Sequence, residues 1–110
     1  MNAKSAARKN VRKQRRMDGI MRMLREHLPE MQRQYGVRSI GIFGSYVRSE
    51  EKRRSDLDIL VEYDRVPTLF EFVRLERYLS KQLGVKVDLV MKASLKPNVG
   101  RRILEEVVPV

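Results

Sequence analysis

The chain has 110 residues, with 24 Lys and Arg against 14 Asp and Glu, a formal net charge of +10 and no cysteine. That length holds one domain around one modest hydrophobic core, and the lack of cysteine excludes disulfides and thiolate metal sites, as suits a chain expected in the reducing cytoplasm. No apolar run approaches the roughly 20 residues of a membrane span, and the basic N-terminus has no apolar stretch of the secretory kind, so neither a membrane partner nor export is expected.

The charge is unevenly placed. Lys4, Arg8, Lys9, Arg12, Lys13, Arg15 and Arg16 all precede the first acid, Asp18. Residues 1–16 therefore read as a basic N-terminal arm and 17–110 as the folded domain. Such an arm is either a solvated, partly disordered tail or a contact for nucleic acid or an acidic partner. It holds no aromatic residue, so stacking on bases is not expected of it.

Met17, Ile20, Met21, Leu24, Leu28 and Met31 recur at helical spacing and predict a helix over 15–35. Pro29 removes a backbone donor, which predicts a kink or break near Leu28, and Gly36 closes the helix. The methionine stripe reads as core packing rather than as a binding groove. His27, the only histidine, reads as a helix-surface residue. A first strand follows from Val37 to Phe43, then a Gly44-Ser45 turn and a polar connection over 46–54. Leu57 to Tyr63 is rich in β-formers and predicts a second strand. Beyond Pro67, Thr68-x-x-Glu71 forms a capping box for a helix that runs to about Leu83, where Gly84 ends it. A third strand is expected over 85–90. Pro97 opens a last helix containing Val99, Ile103, Leu104 and Val107.

The order is α-β-β-α-β-α, an α/β (α+β) fold with a small mixed sheet of three or more strands and helices packed mainly on one face. The helix between the second and third strands predicts a parallel pair with a right-handed crossover. The link between the first two strands is too short for a crossover and predicts an antiparallel pair.

Successive strand side chains alternate between faces, so Asp56, Asp58 and Leu60 share one face and Leu57, Ile59 and Val61 the other. The two aspartate Cα atoms are about 7 Å apart along a strand. At ~5 Å and an effective dielectric of ~20 their repulsion costs about 3 kcal/mol, on residues that strands already disfavour. A divalent cation removes that cost. In "VKVDLV", Asp88 alternates against Val87 and Leu89 and so points away from the core on the next strand. Three carboxylates without histidine or cysteine suit Mg²⁺ or Mn²⁺ rather than zinc. The Gly44-Ser45 turn lets backbone approach a ligand closely and offers a hydroxyl and N–H groups to phosphate oxygens.

Gly44-Ser45, Asp56-x-Asp58 and a later strand carboxylate, Asp88, resemble the nucleotidyltransferase superfamily that includes DNA polymerase beta and kanamycin nucleotidyltransferase. The stretch "FGSYVRSEEKRRSDLDILVEY" is similar to the minimal nucleotidyltransferases of bacteria and archaea, and the likeness covers about residues 20–108. Ser49 stands where many members carry a glycine after the arginine matched by Arg48. The resemblance implies two-metal nucleotidyl transfer. Asp56 and Asp58 would hold both Mg²⁺ ions, with Mn²⁺ the alternative; Asp88 would complete one of them and help deprotonate the acceptor hydroxyl. Gly44 and Ser45, with Arg48 and Ser55, would bind ATP or another NTP. Two cations ~3.5–4 Å apart clamp both oxygens of an in-line displacement, leaving the protein to supply ligands and position.

Larger members hold the acceptor in an extra domain for which this chain has no room. The acceptor site is therefore expected to be completed by another subunit of a homo-oligomer or by a partner protein. Minimal nucleotidyltransferases of this kind are similar to antitoxins paired with HEPN-domain ribonuclease toxins, and some transfer AMP to a toxin tyrosine. Three readings follow. One is an ATP-dependent AMP transferase acting on a partner as its antitoxin. Another is a module that neutralises its partner by contact alone. The third is a transferase using an RNA end or a small molecule, which the basic arm favours.

Overall fold

The computed structural model describes the backbone of residues 3–110 and the side chains from Arg8 onward, so the Lys4 side chain lies outside the described residues. The elements are α1 (Ala3–Tyr35), β1 (Val37–Phe43), β2 (Leu57–Tyr63), α2 (Leu69–Leu83), β3 (Val87–Met91), a 3-10 turn (Lys92–Ser94), α3 (Pro97–Glu106) and β4 (Val108–Pro109). They form an α/β fold on a four-stranded mixed sheet of order β3-β2-β1-β4. β1 is antiparallel to β2 and to β4, while β2 and β3 are parallel across the α2 crossover.

One face of the sheet carries the core. Leu57, Ile59 and Val61 of β2 and Val87 and Leu89 of β3 alternate onto it, as strand parity requires. They pack with Ile40 and Ile42 of β1, with Ile20, Met21, Leu24 and Met31 of α1, and with Leu75 and Leu79 of α2. Burying each such side chain contributes roughly 1.5–3 kcal/mol. The methionine stripe is thus core. α2 begins as its capping box requires. The Glu71 N–H donates to Thr68 Oγ1 at 3.1 Å and the Thr68 N–H to Glu71 Oε1 at 3.3 Å. It ends at Gly84 in the left-handed conformation.

The structure corrects several local expectations. α1 begins at Ala3, well before residue 15, and runs through Pro29 without a break. Proline removes a single backbone bond there, and the helix is held on both sides of it by the packed Leu28 and the fully buried Met31. β3 starts at Val87 rather than residue 85, although the Lys86 carbonyl already accepts the Leu57 N–H at 2.9 Å. α3 stops at Glu106, and Val108–Pro109 pairs with Gly41 and Ile42 as an edge strand. Proline is tolerated at such an edge because its missing donor falls on the unpaired side. His27 is not a bare surface residue. Its Nδ1 lies 2.9 Å from Tyr78 Oη and its ring meets the Tyr78 ring edge-on, tying α1 to α2.

Candidate active site

The register of the sheet places Phe43 beside Asp58 and Asp58 beside Asp88, a row across β1, β2 and β3 on the face away from the core. Asp58 is half-buried and Asp88 exposed. Parity within β2 and β3 turns both carboxylates to this side, and the parallel register makes them neighbours. Asp58 is pushed up to about 6, first by burial, then by the charges of Asp88 and Asp56 and a hydrogen bond shared with Asp88; Arg48 opposes the rise. Asp56 lies just before β2, with Oδ2 3.7 Å from Lys86 Nζ.

The β1–β2 connection begins against Asp58. Gly44 has a φ of 80°, and a Cβ at that position would sit 2.1 Å from Asp58 Oδ2. Glycine is therefore required twice: for the left-handed backbone, and to leave room for the carboxylate. The Gly44 carbonyl then accepts from the N–H groups of Val47 (3.1 Å) and Arg48 (3.3 Å), opening a helical turn. The N–H groups of Ser45 and Tyr46 precede the first hydrogen bond of that turn, as at any helix start, and such groups suit an anion. Ser45 is half-buried. Ser49 adopts φ 56°, so serine here takes the backbone conformation that glycine favours. Ser55 spends its hydroxyl within its own turn, accepting the Lys52 N–H at 2.8 Å.

Arg48 reaches back across the turn. It donates through Nε to Glu50 Oε2 at 3.0 Å and through Nη1 to Glu106, and these hydrogen bonds raise its pKa. Glu106, the last residue of α3, also accepts the Gly44 N–H on Oε2 at 2.8 Å. Burial pushes Glu106 up, but the Gly44 N–H and the Arg48 guanidinium outweigh it and hold the carboxyl below its ordinary value. Sequence reasoning missed Glu106, since it stands 62 residues from Gly44 and no local motif marks it.

Among the described residues, no three carboxylate or imidazole side chains already stand together in metal-holding geometry. Asp56 leans toward Lys86, while Asp58 and Asp88 meet across the strands. The donor set nevertheless suits a hard divalent cation. All three donors are carboxylates, and the like-charge repulsion that lifts Asp58 is what such a cation relieves.

A small mixed sheet with Gly-Ser closing one strand, and carboxylates facing each other on the next two, defines a nucleotidyl-transfer fold. The sequence matches the nucleotidyltransferase domain family over residues 24–110. Protein adenylyltransferase MntA of Thermococcus cleftensis is 49% identical over 92 residues, covering 84% of this chain and 93% of that protein. A solved structure described as a minimal nucleotidyltransferase superposes with a TM-score of 0.70 at 34% identity, covering 82% of this chain and 92% of the other. A toxin–antitoxin crystal structure with AMP-PNP gives a TM-score of 0.63 at 25% identity, over 84% of this chain and 69% of the other. This chain belongs to the minimal nucleotidyltransferases of the nucleotidyltransferase domain family and is a nucleotidyltransferase. No helix among the described residues is long and apolar enough to cross a membrane.

Proposed function

We propose that the chain transfers AMP from ATP to a partner protein of HEPN type and thereby acts as its antitoxin. The observation that carries this reading is the pairing of Asp58 with Asp88 across β2 and β3, with Asp58 against Gly44 and a turn whose Ser45 and Tyr46 N–H groups precede its first hydrogen bond. The relative that supports it is named a protein adenylyltransferase and is matched over nearly its whole length.

Asp56, Asp58 and Asp88 would hold divalent cations, Mg²⁺ foremost, which supply charge stabilisation to the triphosphate and its leaving pyrophosphate. The chain's own part is positional. Ser45 and the opening N–H groups of the turn bind triphosphate oxygens, with Arg48 beside them. Gly44 keeps the backbone tight against Asp58 so that the carboxylate stays in the row. Asp88, exposed at the edge of that row, faces the side from which an acceptor hydroxyl arrives and assists its deprotonation. The acceptor would be a tyrosine of the partner, as the resemblance to antitoxins that transfer AMP to a toxin tyrosine implies.

Incubating the protein with ATP labelled at the α-phosphate, Mg²⁺ and the product of the neighbouring gene tests the reading. Label is expected on a partner tyrosine, with loss of the partner's ribonuclease activity. Neutralisation without label would instead favour inhibition by contact, and label on an RNA end would move the acceptor to nucleic acid.

A further inference from the structure

Glu51 is the only buried charged side chain among the described residues, its side chain 1% exposed. It lies in the β1–β2 connection, three residues beyond Arg48, and no hydrogen bond reaches its Oε1. A buried carboxylate is costly unless its charge is met. Here it is met from α1, with Lys13 Nζ 3.8 Å from Oε1 and Arg16 Nη1 4.0 Å from Oε2. These two cations are three residues apart and therefore share one helix face. Lys13 makes a second contact, donating at 2.9 Å to the carbonyl of Ser49, the residue held in the left-handed conformation. One helix face thus grips the loop at positions 49 and 51, on either side of Glu50, a partner of Arg48. At 3.8–4.0 Å the Glu51 pairings are charge contacts rather than hydrogen bonds, so they offset only part of the desolvation of the carboxylate. What they do fix is where the loop lies.

We propose that Lys13, Arg16 and Glu51 form a clamp that positions the loop bearing Ser45 and Arg48 for the nucleotide, with Lys13 a positioning residue for nucleotidyl transfer. The proposal rests on the reading that this loop binds triphosphate. It takes two cations out of the basic arm and gives them a role in the site. The strained Ser49 backbone is held from its carbonyl side, and the turn that opens at Gly44 is kept from opening outward.

Two readouts test it on the full chain. Lys13→Met keeps the aliphatic stem but removes the charge and the donor; Glu51→Gln keeps shape and removes the charge; Lys13→Arg is the conservative control. Without any nucleotide, amide hydrogen exchange over residues 45–52 is expected to speed up about tenfold or more in Lys13→Met and in Glu51→Gln, with β1 and β2 unchanged and Lys13→Arg close to the parent. Loop exchange equal to the parent's in both variants overturns the clamp. In AMP transfer, the KM for ATP is expected to rise about tenfold while kcat at saturating ATP stays within about threefold, and Lys13→Arg should restore KM. A looser loop with an unchanged KM overturns the positioning role. If the parent protein does not use ATP at all, the proposed function falls, and the exchange measurement still decides the clamp.

Discussion

Asp58 is the residue on which most of the site's constraints meet. It pairs with Phe43 on one side and Asp88 on the other, and Gly44 makes room for its Oδ2. Gly44→Ala should therefore fail in two ways. The left-handed backbone costs roughly 1–2 kcal/mol for a residue with a Cβ, and the methyl group displaces the carboxylate. Lower thermal stability and a drop in transfer of about 100-fold or more are expected, the second because misplacing a reacting group by about 1 Å can cost that much. An active Gly44→Ala enzyme would contradict the geometry. Ser49→Gly should do the reverse, relieving the φ of 56° and gaining about 1 kcal/mol in urea unfolding. Asp58 also sets a pH dependence. Its folded pKa of about 6 lies above the ordinary 3.8, so the folded state binds more protons between those values. In the presence of a chelator, stability should consequently fall as pH rises from about 4 to 6, by about 1 kcal/mol once solvent screening is allowed for. Asp58→Asn should flatten that slope, which melting curves at several pH values would show. That Asp58 and Asp88 share the face away from the core was legible in the sequence because strand parity is local, whereas Asp56 lies just before β2. Glu106 and Lys13 were not legible, because their partners lie 62 and 36 residues away and are set by how α3 and α1 dock.

Helix α1 shows the same division between local pattern and tertiary contact. Its apolar stripe predicted the segment from Met17 to Met31, which is the part that packs on the sheet. The preceding turns carry no apolar period, yet they continue the helix to Ala3, and Lys13 and Arg16 reach the buried Glu51. Arg8, Lys9 and Arg12 are exposed and Val11 is 49% exposed. Deleting residues 2–12 should thus leave the melting temperature nearly unchanged, whereas deletion through Arg16 should lower it by several degrees, since a buried carboxylate then loses both of its cations. Equal melting temperatures for the two truncations would remove α1 from the loop's support. The short β4 had no signature either. Two residues cannot display a period of two, and only the antiparallel register with Gly41 and Ile42 reveals them as a strand.

Taken whole, the molecule divides its labour across one sheet. α1 and α2 bury the face that carries Leu57, Ile59 and Val61, and that core makes the sheet rigid. The opposite face presents Asp58 and Asp88 in register, with the Gly44 turn above them and Arg48 and Glu106 at the rim. A site built on strands holds its carboxylates more precisely than one built on loops, while the Gly44-Ser45 turn is the part that needs anchoring from α1 and α3. The central claim is that this carboxylate row drives nucleotidyl transfer, and Asp58→Asn tests it most directly. With α-labelled ATP, Mg²⁺ and the partner protein, the variant is expected to lose transfer by several orders of magnitude, because charge stabilisation at the transferring phosphoryl group is the largest contribution to catalysis. Its melting temperature without metal should hold or rise as the repulsion with Asp88 is relieved. Transfer at the parent rate by a folded Asp58→Asn protein would contradict the account.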